Sequence, residues 1–523
     1  MEIIRVENLN FKYADGKQAL RNINFSLGEG EMLCLCGPTG SGKSTLLRLL
    51  KREISPRGEK NGRVLISGRR QEDLNDREAA TGVGFVFQRP DMQLVTDKVW
   101  HELAFGLENL GVKQSEIRRR VCEIAGYFGM ESWFDRSTDS LSGGQKQLLN
   151  LASVMVMQPS LLILDEPVSQ LDPIAASDFI ATIKKLCREF GISVIAAEQR
   201  LEELIPASDK LLALSDGAIV SFGETRECVK TLMSNDVFAV SMPASAKIYT
   251  KLMSTMNGGN GDLQLPLSVG EGRRFLREYR IGNRDKAEQF MSRESDNDEK
   301  KTISANDQKG ARPGKEDALE FREVYLKYER NGNDILRSLS FKVNKGEVFC
   351  LLGGNGAGKS TAVCAAAGLL KPYSGKIKVF GKDIRDYRGQ ELYRECVALL
   401  PQDVQTVFIS DDYNGRHPYD LSGGEQQLAA LDIVLRTNPK LLLLDEPTKG
   451  LDALLAESLK GKLKELASSG VTIVIVSHDI EFAATVADRC ALLFNGEVVS
   501  VSDSDEFFAG NYFYTTAYNR IVR

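Results

Sequence analysis

Short, continuously apolar runs recur along this chain, each stopped by a polar or glycine-rich stretch. Met32-Leu-Cys-Leu-Cys36, Leu161-Leu-Ile-Leu-Asp165 and Ser193-Val-Ile-Ala-Ala197 stand in the first half. Val348-Phe-Cys-Leu-Leu352, Leu441-Leu-Leu-Leu-Asp445 and Val471-Thr-Ile-Val-Ile-Val476 repeat them in the second. Runs this short, without polar alternation, suit parallel strands covered on both faces. Val83-Gly-Phe-Val-Phe87 and Val397-Ala-Leu-Leu400 read the same way. Segments that alternate, Ile3–Val6, Ile23–Leu27 and Leu339–Val343, predict half-buried antiparallel strands. Helices are expected over 46–50, 146–156 and 426–435. The pattern is an α/β fold built twice in tandem, each copy a mainly parallel core sheet with an antiparallel subdomain.

The glycine-rich stops carry the first chemistry. Gly37, Pro38, Thr39, Gly40, Ser41, Gly42, Lys43, Ser44 and Thr45 follow one apolar run. Gly353, Gly354, Asn355, Gly356, Ala357, Gly358, Lys359, Ser360 and Thr361 follow another. A first glycine, four residues, then Gly-Lys-Ser before a helix is the spacing of a phosphate-binding loop. Glycines let successive N–H groups turn inward around phosphate oxygens, and the helix N-terminus adds partial positive charge. Lys43 and Lys359 would reach the outer phosphates, and the Ser44 and Ser360 hydroxyls would ligate Mg²⁺. A chance glycine-rich turn explains one such loop poorly and two in the same layout worse.

Four further features repeat in the same order. Tyr13 and Tyr328 each precede a loop and would stack on an adenine ring; the plainer reading is a strand tyrosine packed on its own sheet. Gln88 and Gln402 end short strands, where an amide can reach a metal-bound or attacking water. Ser142, Gly143, Gly144 and Gln145, and later Ser422, Gly423, Gly424 and Glu425, open helices as simple N-caps or as second anion-facing helix starts. One nucleotide does not need two such starts from one unit, whereas two units facing head to tail would use both. Asp165 and Asp445 end apolar strands where they would hold Mg²⁺, and Glu166 and Glu446 would polarise a water for attack on a γ-phosphate.

Composition narrows the class further. The 523 residues are 42% apolar and 27% charged, with net charge −5 and no long basic cluster, which argues against a nucleic-acid-binding surface. No run approaches the ~20 apolar residues of a membrane span, and Met1–Arg5 lacks signal-peptide character, so any membrane role is expected to come through a partner chain. Nine scattered cysteines read as buried hydrophobes in a reducing cytosol, and three histidines (His101, His417, His478) exclude a histidine-rich metal store. The expected division is 1–235 and 318–508 as nucleotide-binding units, 236–282 as a small appendage, 283–317 as a flexible charged linker, and 509–523 as a tail. Within the appendage, 263–269 and 273–279 are the segments expected to pack.

Taken in order, loop, Gln, Leu-Ser-Gly-Gly, Asp-Glu and His resemble the ATP-binding cassette ATPases over nearly the whole chain outside the linker. A finer resemblance is to the ATPases of energy-coupling factor importers. Its carriers are the stretch from Gln88 to Gly111, Glu198-Gln-Arg-Leu-Glu-Glu203, His417-Pro-Tyr-Asp-Leu-Ser-Gly-Gly-Glu425 and Phe513-Tyr-Thr-Thr-Ala-Tyr-Asn-Arg520. That resemblance implies an ATPase using ATP and Mg²⁺, peripheral on the cytoplasmic membrane face, under a transmembrane coupling subunit. A small membrane protein would capture a vitamin or vitamin precursor, or alternatively cobalt or nickel.

The resemblance also implies that ATP lies between one unit's loop and the other's Leu-Ser-Gly-Gly, giving two composite sites. One would use Lys359, Ser360, Gln402, Asp445, Glu446 and His478 with Ser142 to Gln145. The other would use Lys43, Ser44, Gln88, Asp165 and Glu166 with Ser422 to Glu425. In the latter, Gln199 holds the family histidine's place, and an amide cannot carry positive charge toward a γ-phosphate, so slower hydrolysis is expected there. A second departure is length. Gln88 precedes Leu141 by 53 positions (141 − 88), Gln402 precedes Leu421 by 19 (421 − 402). The second unit therefore lacks most of a helical subdomain, which leaves a pseudo-symmetric machine or an impaired one. The rival function, a ribosome-binding twin-cassette translation factor, would need a basic helical linker that 283–315 does not supply.

Overall fold

The structure, a computed structural model, describes residues 1–254, 264–282, 316–330, 332–394, 396–408, 413 and 417–523. All but the last two residues of the expected linker, and 255–263 of the expected appendage, lie outside the described residues. The chain forms two compact units, Met1–Pro243 and Ala244–Arg523.

Each unit holds two sheets. In the first, the antiparallel sheet runs Gln18–Gly28, Glu2–Tyr13, Gly58–Ile66, Arg69–Arg70. The six-stranded sheet runs Ala218–Glu224, Lys210–Ser215, Met32–Cys36, Ser193–Ala197, Leu161–Asp165, Val83–Val86, parallel except for the first pair. The second unit repeats the antiparallel sheet as Leu336–Asn344, Asp317–Leu326, Ser374–Val379, Lys382–Asp383. Its core sheet runs Val397–Leu400, Leu441–Asp445, Thr472–Ser477, Val348–Leu352, Arg489–Phe494, Glu497–Asp503, and only the last pair is antiparallel. Strands Met32–Cys36, Leu161–Asp165 and Leu441–Asp445 are buried at every position, as their unbroken apolar character requires. The strand ahead of each glycine-rich loop lies inside its sheet, so the loop emerges at the strands' carboxyl ends, one strand removed from the strand that ends in Asp.

The units differ where the sequence shortens. In the first, helices Val99–Asn109 and Gln114–Tyr127 pack on helix Gly143–Met155. Val99, Leu103, Leu107, Val121, Met130 and Trp133 cover Leu149, Ala152 and Val156 in one apolar cluster. In the second, the described residues between Val397–Leu400 and helix Gly423–Leu435 form only the short turns Val404–Val407 and Pro418–Asp420. Counting from the shared Ser-Gly-Gly, Ala429, Asp432 and Arg436 take the places of Leu149, Ala152 and Val156. Asp432 is half-buried and paired with Lys462, and Arg436 is exposed. A bare truncation would have left an apolar face in water. Here two of the three positions that lost their cover are charged and the third is a small, buried alanine, so the short segment is an accommodated feature of the second unit.

The appendage joins the tail. Helix Ala244–Ser254 and helix Val269–Gly282 pack with the C-terminal helix Ala517–Val522 through Ile248, Leu252, Phe275, Leu276, Tyr279 and Ile521. Arg273 Nε donates to Arg520 O at 2.5 Å. The tail is fixed to the second core by Ala517 N–H, which donates to the Glu481 carboxylate at 2.6 Å. The segment that follows the first unit in sequence thus belongs structurally to the second.

The resurfacing sets an asymmetric stability pattern. Ala152→Asp places an unpaired carboxylate inside the helical cluster and is expected to cost about 3 kcal/mol or more. Asp432→Ala removes a partly exposed ion pair and is expected to cost no more than about 1 kcal/mol. Urea unfolding of the two variants checks both values.

Candidate functional site

Each loop is shaped by its glycines. A Cβ on Gly37 would stand 2.2 Å from Leu214 O, so no side chain fits there. Gly42 caps helix Lys43–Leu49 with φ 103°, and Gly358 caps Lys359–Ala366 with the same φ, a conformation that glycine alone adopts without strain. Lys43 Nζ donates to Gly37 O at 2.7 Å and Pro38 O at 3.1 Å. Lys359 Nζ donates to Gly353 O at 2.9 Å and Gly354 O at 3.0 Å. Both lysines are buried, held across the loop at the start of a helix, which concentrates positive charge where anionic oxygens would sit. Gly40 and Gly356 face open space in both loops.

Strand pairing brings the acids to the loops. Ser44 Oγ donates to Asp165 Oδ1 at 3.1 Å, and Ser360 Oγ to Asp445 Oδ1 at 3.1 Å. Burial raises the Asp165 carboxyl above its ordinary value, and burial with the neighbouring Glu446 charge raises Asp445 to about 6. A hydroxyl and a carboxylate in contact at the foot of a phosphate-type loop form the hard-oxygen set that Mg²⁺ prefers, and a bound Mg²⁺ would bring both acids back to the charged form. Tyr13 Oη bonds Thr45 Oγ1 at 2.7 Å, and Tyr328 Oη bonds Thr361 Oγ1 at 2.9 Å. Each tyrosine is thereby anchored to the first turn of the loop helix. Tyr13 also meets Phe11 edge-on, while Tyr328 is 64% exposed.

The following glutamates sit in left-handed backbone, Glu166 at φ 47° and Glu446 at φ 53°. Non-glycine residues take this conformation rarely, and at functional sites when they do so under constraint. The two surroundings differ. Gln88 Nε2 donates to Glu166 Oε2 at 2.5 Å, and Gln199 Nε2 donates to Glu166 Oε1 at 2.6 Å. Burial raises the Glu166 carboxyl, as does the charge of Asp165. In the second unit His478 Nδ1 lies 2.8 Å from Glu446 Oε2, and Ser477 Oγ donates to the same oxygen at 3.3 Å. His478 Nε2 is buried with no hydrogen-bond partner among the described residues, so this nitrogen is open to a ligand, as a donor when both ring nitrogens carry protons. Strand register confirms the equivalence: Asp165 pairs with Ala197 and Asp445 with Val476, which aligns Gln199 with His478. Gln402 is exposed and its amide makes no hydrogen bond among the described residues, so the two glutamines are not placed alike.

Both Ser-Gly-Gly segments form capping boxes. Ser142 Oγ accepts from Gln145 N–H at 3.3 Å while Gln145 Oε1 accepts from Ser142 N–H at 3.0 Å. Ser422 and Glu425 repeat this at 3.3 and 2.8 Å.

One site residue was given no role from sequence. Glu198 occupies the place of Ser477, is 1% exposed, and accepts from Val168 N–H at 2.8 Å and Gln199 N–H at 3.3 Å. It ties the strand end that carries Gln199 to the turn after Glu166. The available signal was an acid directly following a fully apolar strand.

Comparison with known proteins gives consistent matches. The family model described as "ABC transporter" matches residues 20–169 and 336–412, and one described as "AAA domain, putative AbiEii toxin, Type IV TA system" matches 375–484. A chain of Bacillus thuringiensis subsp. konkukian (strain 97-27) is 36% identical over 550 residues, covering 99% of this chain and 95% of its own length. A chain of Streptomyces avermitilis is 32% identical over 542 residues, with 95% and 93% covered. Both are named "Putative ABC transporter ATP-binding protein". Among solved structures, cbiO1 from Clostridium perfringens, titled as part of the ABC transporter complex cbiONQ, is 31% identical. That match covers 45% of this chain and 96% of cbiO1, with TM-score 0.40.

Glu198 gives the site a pH signature. Burial, assisted by the charge of Glu166, raises its carboxyl from 4.5 to about 8. An acid whose folded pKa lies above its unfolded value binds the proton more tightly when folded. Its contribution is therefore full below the unfolded value and is lost as pH climbs through about 8. Urea unfolding at about pH 6 and about pH 9 is expected to show lower stability at the higher pH, and Glu198→Gln is expected to flatten the difference.

Proposed function

From a chain that belongs to the ABC transporter ATP-binding proteins, with two cassettes in one polypeptide, we propose the energising subunit of an energy-coupling factor importer for a vitamin or vitamin precursor. The family makes it an ATPase whose work is done with membrane subunits, and among the described residues no helix is long and apolar enough to cross a membrane. The observation that carries the finer reading is the stretch from Gln88 to Gly111. It resembles the importers' ATPases in sequence, and it leaves Met92 77%, Val95 65% and Trp100 41% exposed beside the Gln88 loop. Apolar side chains exposed together suit contact with another protein. In this reading a transmembrane coupling subunit docks on the first cassette, whose helical subdomain is complete. The second cassette, with its polar resurfaced helix, contributes less to docking.

The two nucleotide sites are read as unequal. In keeping with the family, each ATP is assigned to one cassette's loop and the other's Ser-Gly-Gly helix start. Mg²⁺, held by Ser44 and Asp165 or by Ser360 and Asp445, would offset phosphate charge. Glu446 keeps His478 at one oxygen, and the doubly protonated ring would offer Nε2–H to a phosphate oxygen. Both oxygens of Glu166 are occupied by N–H groups of the Gln88 and Gln199 amides, which are neutral. The Glu446 site is therefore the faster hydrolytic centre, and the Glu166 site chiefly holds ATP.

Affinity purification from membranes of the native host, followed by mass spectrometry, tests the assignment. A transmembrane coupling subunit together with a small substrate-binding membrane protein is expected, and the small protein names the substrate. Ribosomal proteins in place of membrane partners would overturn the reading, as would a metal-binding small subunit for its vitamin part.

A further inference from the structure

Gln88 reaches Glu166, and the turn that follows it is held from outside. Helix Gly143–Met155 supplies the grip. Asn150 Nδ2 donates to Pro90 O at 3.0 Å, and Lys146 Nζ pairs with Asp91 Oδ1 at 2.6 Å. The two residues are four apart and so lie on one helix face. Asn150 is fully buried, and its Oδ1 has no hydrogen-bond partner among the described residues. Amides are rarely buried half-satisfied, and this one spends its donor on the Gln88 turn. The same helix begins at the Ser142 cap, so one rigid element links the Ser-Gly-Gly start to the segment that carries Gln88.

The second unit is an internal control. Counting from the shared Ser-Gly-Gly, Gln426 and Ala430 occupy the places of Lys146 and Asn150. Gln426 Nε2 turns to Pro418 O and Leu421 O, at 3.0 and 3.1 Å, within its own helix entry. Ala430 has no side-chain donor. There the helix meets the turn only through apolar packing, Ala430 and Val434 beside Val404, the polar grip is missing, and Gln402 does not reach Glu446. Where the grip exists, the glutamine is on the glutamate.

We propose that Lys146 and Asn150 are positioning residues that hold Gln88 against Glu166, and that through them the Ser142 helix start and Glu166 act as one mechanical unit in the first cassette. They touch no reacting atom; their effect passes through Gln88. The ATPase reading is the premise, and no transported substrate or partner is assumed.

A double-mutant cycle on the full chain tests this. Lys146→Gln and Asn150→Ala install the second unit's residues, and each is combined with Gln88→Ala. Each single variant is expected to lower kcat for ATP hydrolysis roughly threefold to tenfold, with KM changing less than about twofold. In the Gln88→Ala background neither should cause a further loss, since residues acting through one group are not additive. Lys146→Arg, which keeps the cation, should restore the rate. Additive losses would overturn the proposal, because they indicate general loosening of the fold. So would an unchanged kcat in the helix variants, or a loss in them that Gln88→Ala does not share. Lys146 lies near the surface, so Lys146→Gln still decides the matter if Asn150→Ala fails to fold. Hydrogen exchange supplies a second reading: amides of 88–94 should lose protection in Lys146→Gln, and unchanged protection would contradict the grip.

Discussion

The parallel pairing of two apolar strands governs the chemistry of each half of this protein. Leu161–Asp165 lies against Ser193–Ala197, and Leu441–Asp445 against Thr472–Ser477. In each pair the first strand ends in an acid beside a loop serine, and the glutamate that follows turns through left-handed backbone toward the end of its neighbour. Whatever residue the neighbouring strand presents there becomes the glutamate's environment. Two positions, Glu198-Gln199 in one unit and Ser477-His478 in the other, are enough to make two frameworks of the same sheet topology chemically distinct. The frameworks themselves need no such difference, since the buried strand interiors are equally apolar in both.

Asymmetry extends outward from those positions in a consistent direction. The first cassette keeps a helical subdomain whose apolar cluster covers helix Gly143–Met155, and that helix in turn fixes the Gln88 turn. The second has exchanged the covered face for Asp432 and Arg436, and its glutamine stands free of the glutamate. Loss of the cover, loss of the apolar face and loss of the grip are three expressions of one change. Helices Ala244–Ser254 and Val269–Gly282 add to the division of labour: they follow the first cassette in sequence but pack on the tail, which is bonded to the second cassette at Glu481.

The elements that sequence makes legible are those whose cause is local. The two loops were readable because glycines, lysine and serine must stand at fixed spacing. The buried strands were readable because parallel strands covered on both faces tolerate few polar residues. The pairing of Gln199 with His478 was also within reach, since both follow such a strand directly. Contacts made across distance were not. Asn150 meets Pro90 from 60 residues away, and Arg273 meets Arg520 from 247. Neither leaves a periodic trace. Gln88 and Gln402 looked equivalent in sequence because each ends a short strand, yet only after the first does the neighbouring helix bond the turn through polar side chains; after the second the packing is apolar. Glu198 was visible as an acid after an apolar run, but its role depends on the turn after Glu166 folding over it.

The central claim is that the second cassette's loop serves the faster site because of what surrounds Glu446. Steady-state ATP hydrolysis by the full chain carrying Glu446→Gln or Glu166→Gln tests it most directly. The account predicts that Glu446→Gln removes most of the turnover, on the order of 100-fold, while Glu166→Gln costs about 10-fold or less. Equal losses from the two substitutions, or a larger loss from Glu166→Gln, would contradict it.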